Sequence, residues 1–188
     1  MGVAPHALTA AFLTHVHSDH VVDLPGRAKD LIIRGGHNID PALIEDALLT
    51  HPQVTAAGAV GSPDVHAGEV PVAYVTLAPG ATVTEQELLA WVHDRVPEPA
   101  AAPKAVTVLD ALPVTDVGKP YKLALRADAT RRELLTALGE IAGVHDIEAT
   151  IEDGSVVATV EVSPPADEAA VKAILSRYAI GWKVVVTS

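Results

Sequence analysis

The turn around Lys119 has the residue types to hold a cation in a fixed place. Residues 114–122 read Val-Thr-Asp-Val-Gly-Lys-Pro-Tyr-Lys, so Gly118 directly precedes the lysine. A glycine here allows a positive φ or close approach to a ligand, and Pro120 restricts Lys119 to extended conformations. In a chain with a formal net charge of -11, a bound anion has to be met by a local cation such as this one. The same tripeptide also occurs in turns that have no function.

A second group of residues that could take part in chemistry is a histidine cluster that follows an apolar strand near the start of the chain. It consists of His15, His17, Asp19 and His20. Alternate residues of an extended chain project to the same side, and a turn can bring Asp19 and His20 toward a second metal ion. Nitrogen and oxygen ligands of this kind suit zinc. The pattern resembles the metal-binding signature of the metallo-β-lactamase-fold hydrolases, over about the first 25 residues.

The later histidines do not complete that signature. The family needs further His and Asp ligands from later strands, and no second ligand motif surrounds the histidines that follow the cluster: His37, His51, His66, His93 and His145. Three interpretations stay open, namely a metal-dependent hydrolase, adventitious zinc binding and a remnant of a lost or fused domain. We expect residues 1–25 to be the remnant.

Composition excludes several other classes of function. The 188 residues are 49 % hydrophobic, which is enough for a buried core, and contain no cysteine, which excludes disulfides and thiolate metal sites. The acidic net charge and 3 % aromatic content argue against nucleic-acid binding. We find neither an export signal nor an apolar run long enough to span a membrane, and we expect a cytoplasmic protein.

Residues 26–127 predict a small α+β domain. Asp40 followed by Pro41 is a helix N-cap, and Thr84 with Glu87 forms a capping box that opens a second helix. A Gly35-Gly36 turn precedes the first helix, and residues 61–64 predict a turn between two strands. Strands are predicted at residues 31–34, 54–60, 70–77 and 104–109.

The order of these signals resembles the C-terminal lid domain of the AMP-forming acyl-CoA synthetases. The matching features are Gly-Arg-x-Lys-Asp from Gly26, the Gly-Gly turn, the alternating helices and strands, and the final Gly-Lys. The resemblance implies that Arg27 contacts the nucleotide and that Lys29 is the hinge about which the lid rotates. It also implies that Gly35 and Gly36 line the path of CoA.

The same resemblance implies that Lys119 is the catalytic lysine, which contacts carboxylate and phosphate oxygens during adenylation. Lys122 stands where the family usually has a second basic residue. ATP, AMP and CoA would then be the ligands, with Mg in the complete enzyme. The substrate would be a small carboxylic acid.

A second α+β unit is predicted from residue 128 to residue 188. Thr130 with Glu133 predicts a capping box that starts a helix, Asp153-Gly154 predicts a hairpin, and Asp167 predicts the cap of another helix. A last strand is predicted at residues 182–186. We expect this helix-hairpin-helix-strand extension to serve packing or partner contact, because no ionisable cluster in it indicates catalysis.

The family's catalytic cycle needs an N-terminal adenylation domain, and the chain lacks its Gly-rich phosphate loop. We therefore expect a truncated or rearranged acyl-CoA synthetase lid domain that is inactive alone. An adenylation domain supplied in trans, or as part of a longer chain, would be its partner. A metal-dependent hydrolase and a non-enzymatic interaction module are the alternatives.

Overall fold

The computed structural model describes residues 30–164 and 166–187, which form two α+β units connected by one long helix. The first unit contains β1 (Ile32–Arg34), β2 (His37–Ile39), α1 (Pro41–Leu49), β3 (Val54–Asp64), β4 (Gly68–Leu77), α2 (Glu85–His93), a 3₁₀ helix (Pro99–Ala101) and β5 (Val106–Val108). The connecting helix is α3 (Lys122–Leu138). The second unit contains β6 (Val144–Glu152), β7 (Ser155–Val162), α4 (Glu168–Leu175) and β8 (Gly181–Val186). The predicted α+β class is confirmed.

The long antiparallel hairpin β3–β4 is the largest part of the first sheet, with β4 in its interior and β3 at its edge. Strand β1 meets the other edge of β4 where Arg34 pairs with Gly68, and β5 runs parallel to β4 along Ala73–Val75. Nearly all of β3 is buried, because α1 and α3 both pack against it. The strand therefore reads as a continuous apolar run of small residues and lacks the alternation of a half-exposed strand.

The turn predicted at residues 61–64 is wrong, because β3 continues to Asp64. Pro63 pairs with Glu69 in the hairpin, and an edge strand tolerates a proline. The chain turns at residues 65–67 instead. There the carboxylate of Asp64 accepts hydrogen bonds from the N–H groups of His66 and Ala67 at 2.9 and 2.8 Å, which closes the turn.

The helix start predicted at Thr130 is also wrong. Helix α3 begins at Lys122, and Thr130 is buried in its middle. The Thr-x-x-Glu pattern identifies an N-terminus only where the preceding residues are not helical, and the alanine-rich stretch after Lys122 favours a helix. The boundary placed between residues 127 and 128 thus falls inside one continuous helix.

Helix α3 belongs to two hydrophobic cores. Its first half packs on the first sheet, where Leu125 and Ala129 meet Val60 and Tyr74. A Cβ at Gly58 would lie 2.8 Å from Cδ1 of Leu125, so any larger residue would force the leucine side chain or the helix to shift away from β3. The second half buries a different pair of side chains against the second sheet, Leu134 and Leu138.

Two hydrogen bonds fix the helix on its sheets. The buried hydroxyl of Tyr74 donates to Oδ2 of Asp128 at 2.9 Å, and burial raises the pKa of this phenol. On the second sheet, Nε of Arg131 donates to the carbonyl of Ile147 at 2.9 Å. Because each bond joins α3 to a strand, the two bonds fix the rotation of the helix about its own axis and its distance from the sheets.

The second unit has the predicted helix-hairpin-helix-strand order. Strands β6 and β7 pair antiparallel around Asp153 and Gly154, which both take positive φ (49° and 76°). Helix α4 then leads to β8, which pairs parallel with β7. Asp167 caps α4 through the N–H groups of Ala169 and Ala170. Across the part of the chain that the structure describes, no helix is both long and apolar enough to cross a bilayer.

The close contact between Gly58 and Leu125 gives a stability prediction. Gly58→Val should lower the free energy of unfolding by about 1–3 kcal/mol, because the added methyl groups overlap the side chain of Leu125. The measurement is urea denaturation. The control is Thr55→Val on the same strand, where Thr55 is exposed. An equal effect of both changes would contradict the close packing.

Candidate functional site

The residues before helix α3 form a closed turn that carries Lys119. Val114 and Pro120 pair as an isolated antiparallel bridge, and the N–H of Thr115 donates to the carbonyl of Lys119 at 2.8 Å. The N–H of Gly118 donates to the carbonyl of Thr115 at 2.8 Å, with φ of 77° at Gly118. The positive φ expected before the lysine is therefore present.

The side chain of Thr115 also fixes the backbone of Lys119. The N–H of Lys119 donates to Oγ1 of Thr115 at 3.3 Å, and this hydroxyl lies 3.2 Å from the carbonyl of Lys119. Behind the turn, the N–H of Tyr121 donates to the carbonyl of Pro113 at 2.7 Å. The lysine side chain itself is exposed. The backbone of Lys119 is thus held in place while its ammonium is open to solvent, which suits contact with an anion.

A groove of about 430 Å³ lies beside the lysine turn. Its charged lining residues are Asp30, Glu45, Lys119 and Lys122. Nζ of Lys122 pairs with Oε1 of Glu45 at 2.9 Å, and the same oxygen accepts the N–H of Ala59 at 2.8 Å. Lys119 makes no ion pair within 4 Å among the described residues. Of the two lysines in the groove, Lys119 is the one whose charge is available to a ligand.

Glu45 was missed by the sequence analysis. It lies on α1, 77 positions before Lys122 in the chain, and holds the start of α3 against β3. A glutamate on a helix surface is ordinary, so only the fold reveals its role. Lys122 lines the same groove as Lys119, and its charge is offset by this carboxylate.

Gly35 and Gly36 form the two-residue turn between β1 and β2. Their φ values are 56° and 88°, and the N–H of Gly35 donates to the carbonyl of Ala67 at 2.8 Å. A Cβ at either position would meet no atom within 4 Å, so the backbone conformation and not crowding requires glycine. In the part of the chain that the structure describes, the groove beside Lys119 does not include this turn. The structure therefore keeps the two predicted sites apart.

Comparison with known proteins identifies the first unit. Residues 43–119 match the family model for the AMP-binding enzyme C-terminal domain. This segment is similar to the AMP-binding enzyme C-terminal domain over that range. The matched range ends at Lys119 and leaves out Gly35 and Gly36.

The relatives of this domain are long enzymes. The chain is 48 % identical over 139 residues to a marinolic acid–CoA ligase from Pseudoalteromonas sp. (strain SANK 73390), covering 72 % of this chain and 21 % of that protein. It is 44 % identical over 107 residues to a feruloyl-CoA synthase from Amycolatopsis sp, covering 57 % and 21 %. An acyl-CoA synthetase structure from Brucella canis aligns with a TM-score of 0.52 at 36 % identity, covering 57 % and 20 %.

These matches confirm the resemblance to acyl-CoA synthetases at the level of the C-terminal domain. The chain spans about a fifth of the length of the relatives and structures it matches. The resemblance of the first 25 residues to metallo-β-lactamase-fold hydrolases has no such support.

Several predicted site residues lie outside the described residues. They are the nucleotide-binding Arg27, the hinge Lys29, and the possible zinc ligands His15, His17, Asp19 and His20. Within residues 30–164 and 166–187, no group of three or more His, Cys, Asp and Glu side chains is arranged to hold a metal ion.

The turn at residues 65–67 is closed by the carboxylate of Asp64, and the carbonyl of its Ala67 accepts the N–H of Gly35. This arrangement gives a prediction about the pH dependence of stability. The N–H groups of Ala67 and His66 hold the pKa of Asp64 below its ordinary value of 3.8. A lowered pKa means that the carboxylate stabilises the fold fully above the ordinary value and less as the pH falls through the lowered one. Asp64→Asn should therefore cost about 1 kcal/mol of unfolding free energy at pH 7, and this cost should fade in acid.

Urea denaturation of both proteins from pH 7 down to pH 2.5 is the measurement. The matched control is Asp110→Asn, because Asp110 is exposed and its carboxylate accepts no hydrogen bond from the described residues. A cost at Asp64 that stays constant with pH would show that the charge is not responsible.

Proposed function

We propose that residues 26–127 are the lid domain of an AMP-forming acyl-CoA synthetase and that Lys119 is its catalytic lysine. The observation that carries the proposal is that the matched domain ends on an exposed lysine with a fixed backbone and no ion pair among the described residues. The reaction joins a small carboxylic acid to ATP and then to CoA. Acyl-CoA, AMP and pyrophosphate are the products.

The first half-reaction explains why such a lysine is needed. A carboxylate oxygen attacks the α-phosphorus of ATP, a new P–O bond forms, and the bond to pyrophosphate breaks so that pyrophosphate leaves with the electron pair. Two anions come into contact in this step. An ammonium at a fixed position stabilises the charge on the phosphorus oxygens without accepting a proton.

The groove beside the turn supports this role. Because Glu45 offsets the charge of Lys122, the positive charge that a phosphate or carboxylate meets there is that of Lys119. The carboxylates of the groove do not fit a magnesium site, since Glu45 is already engaged by Ala59 and Lys122 and Asp30 is a single further oxygen ligand. We propose that the adenylation domain holds the Mg.

That adenylation domain is the proposed partner, in trans or within a longer chain. It would supply the phosphate loop and the adenine and acyl pockets. Arg27 as a nucleotide contact, Lys29 as the hinge, and Gly35 with Gly36 on the CoA path are carried over from the family. We also propose that residues 128–188 form a packing or partner-contact extension, and that the protein acts in the cytoplasm.

The chain alone should not catalyse adenylation. We expect no ATP–pyrophosphate exchange by the purified 188-residue protein with a panel of carboxylic acids, because the described residues provide only the lid side of a site. Radiolabelled pyrophosphate measures this directly. Exchange above the rate without protein would overturn the assignment of a separate adenylation domain.

Supplying the missing domain should reveal the role of Lys119. The adenylation domain of the feruloyl-CoA synthase relative, without its own C-terminal domain, is mixed with this chain, ATP and the acid that the relative activates. Lys119→Ala should lower acid-dependent pyrophosphate release by about 100-fold or more, because the stabilising charge is lost. Lys104→Ala is the control, since Lys104 is an exposed lysine that does not line the groove. Equal rates for the two variants would contradict the proposal.

A further inference from the structure

Helix α3 is tied to the first described residues of the chain by Arg126 and Glu69. We propose that these two side chains form a positioning clamp that fixes residues 30–33 to the body carrying Lys119. Rotation of the lid would then have to take place before Asp30. The functional meaning of the clamp rests on the proposed function, but its contacts can be tested without any enzymatic activity.

The clamp is a chain of charge-assisted contacts. Nη1 of Arg126 lies 2.7 Å from Oε1 of Glu69, and the N–H of Ile33 donates to Oε2 of the same carboxylate at 2.9 Å. Nη2 of Arg126 reaches the carbonyl oxygens of Leu31 and Asp30 at 3.4 and 3.5 Å. The two side chains are only 20 % and 26 % exposed. The guanidinium therefore contacts the backbone just before β1, and the carboxylate of Glu69 on β4 contacts β1 itself at Ile33.

The carboxylate of Glu69 lies directly against Gly61 of the neighbouring strand. A Cβ at Gly61 would lie 2.5 Å from Cδ of Glu69 and 2.6 Å from its Oε2. The sheet thus leaves room for this carboxylate only because β3 has glycine here. The glycine that the sequence analysis assigned to a turn serves instead to seat the acidic partner of the clamp.

The clamp also explains why an arginine is needed at this position. A planar guanidinium can pair with a carboxylate through one nitrogen while its other nitrogen donates to backbone carbonyls. A lysine at the same place can keep the ion pair with Glu69, but it has one compact ammonium and loses the reach to the two carbonyls. Arg126→Lys should therefore remove the contacts to the backbone carbonyls while it keeps the ion pair with Glu69.

The location of the clamp gives it a consequence for lid movement. Arg126 lies one helical turn after Lys122, on the helix that directly follows the lysine turn. Residues 30–33 lie immediately after Lys29, the position that the family resemblance assigns to the hinge. Because Asp30 and Leu31 are held against α3, they belong to the rotating body. A rotation at the hinge would therefore move these residues and Lys119 together.

Amide hydrogen exchange of the 188-residue chain, followed by mass spectrometry, tests the clamp. Arg126→Lys should speed exchange of residues 30–34 by about tenfold, the size expected for losing a charge-assisted contact, and leave β6 and β7 unchanged. Arg132→Lys is the matched control. Arg132 lies on the same helix and pairs with Asp128 at 2.5 Å, away from residues 30–33.

Gly61→Ala provides a second route to the same result. Its methyl group displaces the carboxylate of Glu69 while Arg126 is left intact, so residues 30–34 should again exchange faster. Unchanged exchange there in both variants would overturn the clamp. So would an equal rise along the whole chain, because this indicates general destabilisation. Neither result depends on pyrophosphate release, so a failed clamp and a failed role of Lys119 are distinguishable.

Discussion

The contact of Leu125 on helix α3 with Gly58 on strand β3 determines where the lysine turn lies. Because β3 has no side chain at this point, the helix lies directly on the strand, and Pro120 of the lysine turn comes with it. Tyr74 then fixes the rotation of the helix through Asp128, and Glu45 fixes its first residue. The position of Lys119 is therefore a result of packing several residues away.

Elements with strong local signals could be predicted from the sequence. The helices capped by Asp40, Thr84 and Asp167 form as expected, because in each case the cap satisfies N–H groups within three residues of itself. The Gly35-Gly36 and Asp153-Gly154 turns follow the same logic, since positive φ is a local demand. Such interactions need no information about the rest of the fold.

The predictions of local structure that are wrong concern elements that depend on distant contacts. The Gly61-Ser62-Pro63 stretch looks like a turn, but its glycine makes room for the carboxylate of Glu69 on the neighbouring strand. The pattern at Thr130 looks like a helix start, yet that residue is buried in the middle of a helix that packs on two sheets. In both cases the local preference is ambiguous and tertiary packing decides.

The difference between local signals and distant contacts also decides which residues of the candidate site could be predicted from the sequence. Lys119 stands out in the sequence because its neighbours Gly118 and Pro120 shape the backbone. Glu45 acts across 77 positions on Lys122, and nothing near it in the sequence marks it.

Helix α3 joins these separate contacts into one mechanical element. The lysine turn precedes its first residue, Arg126 in its first half holds residues 30–31, and Leu134 and Leu138 in its second half are buried in the second unit. A continuous helix held at its start, middle and end does not bend easily between these points. If the lid rotates as proposed, a rotation that moves Lys119 would therefore also move the second unit, including its outer strand β6.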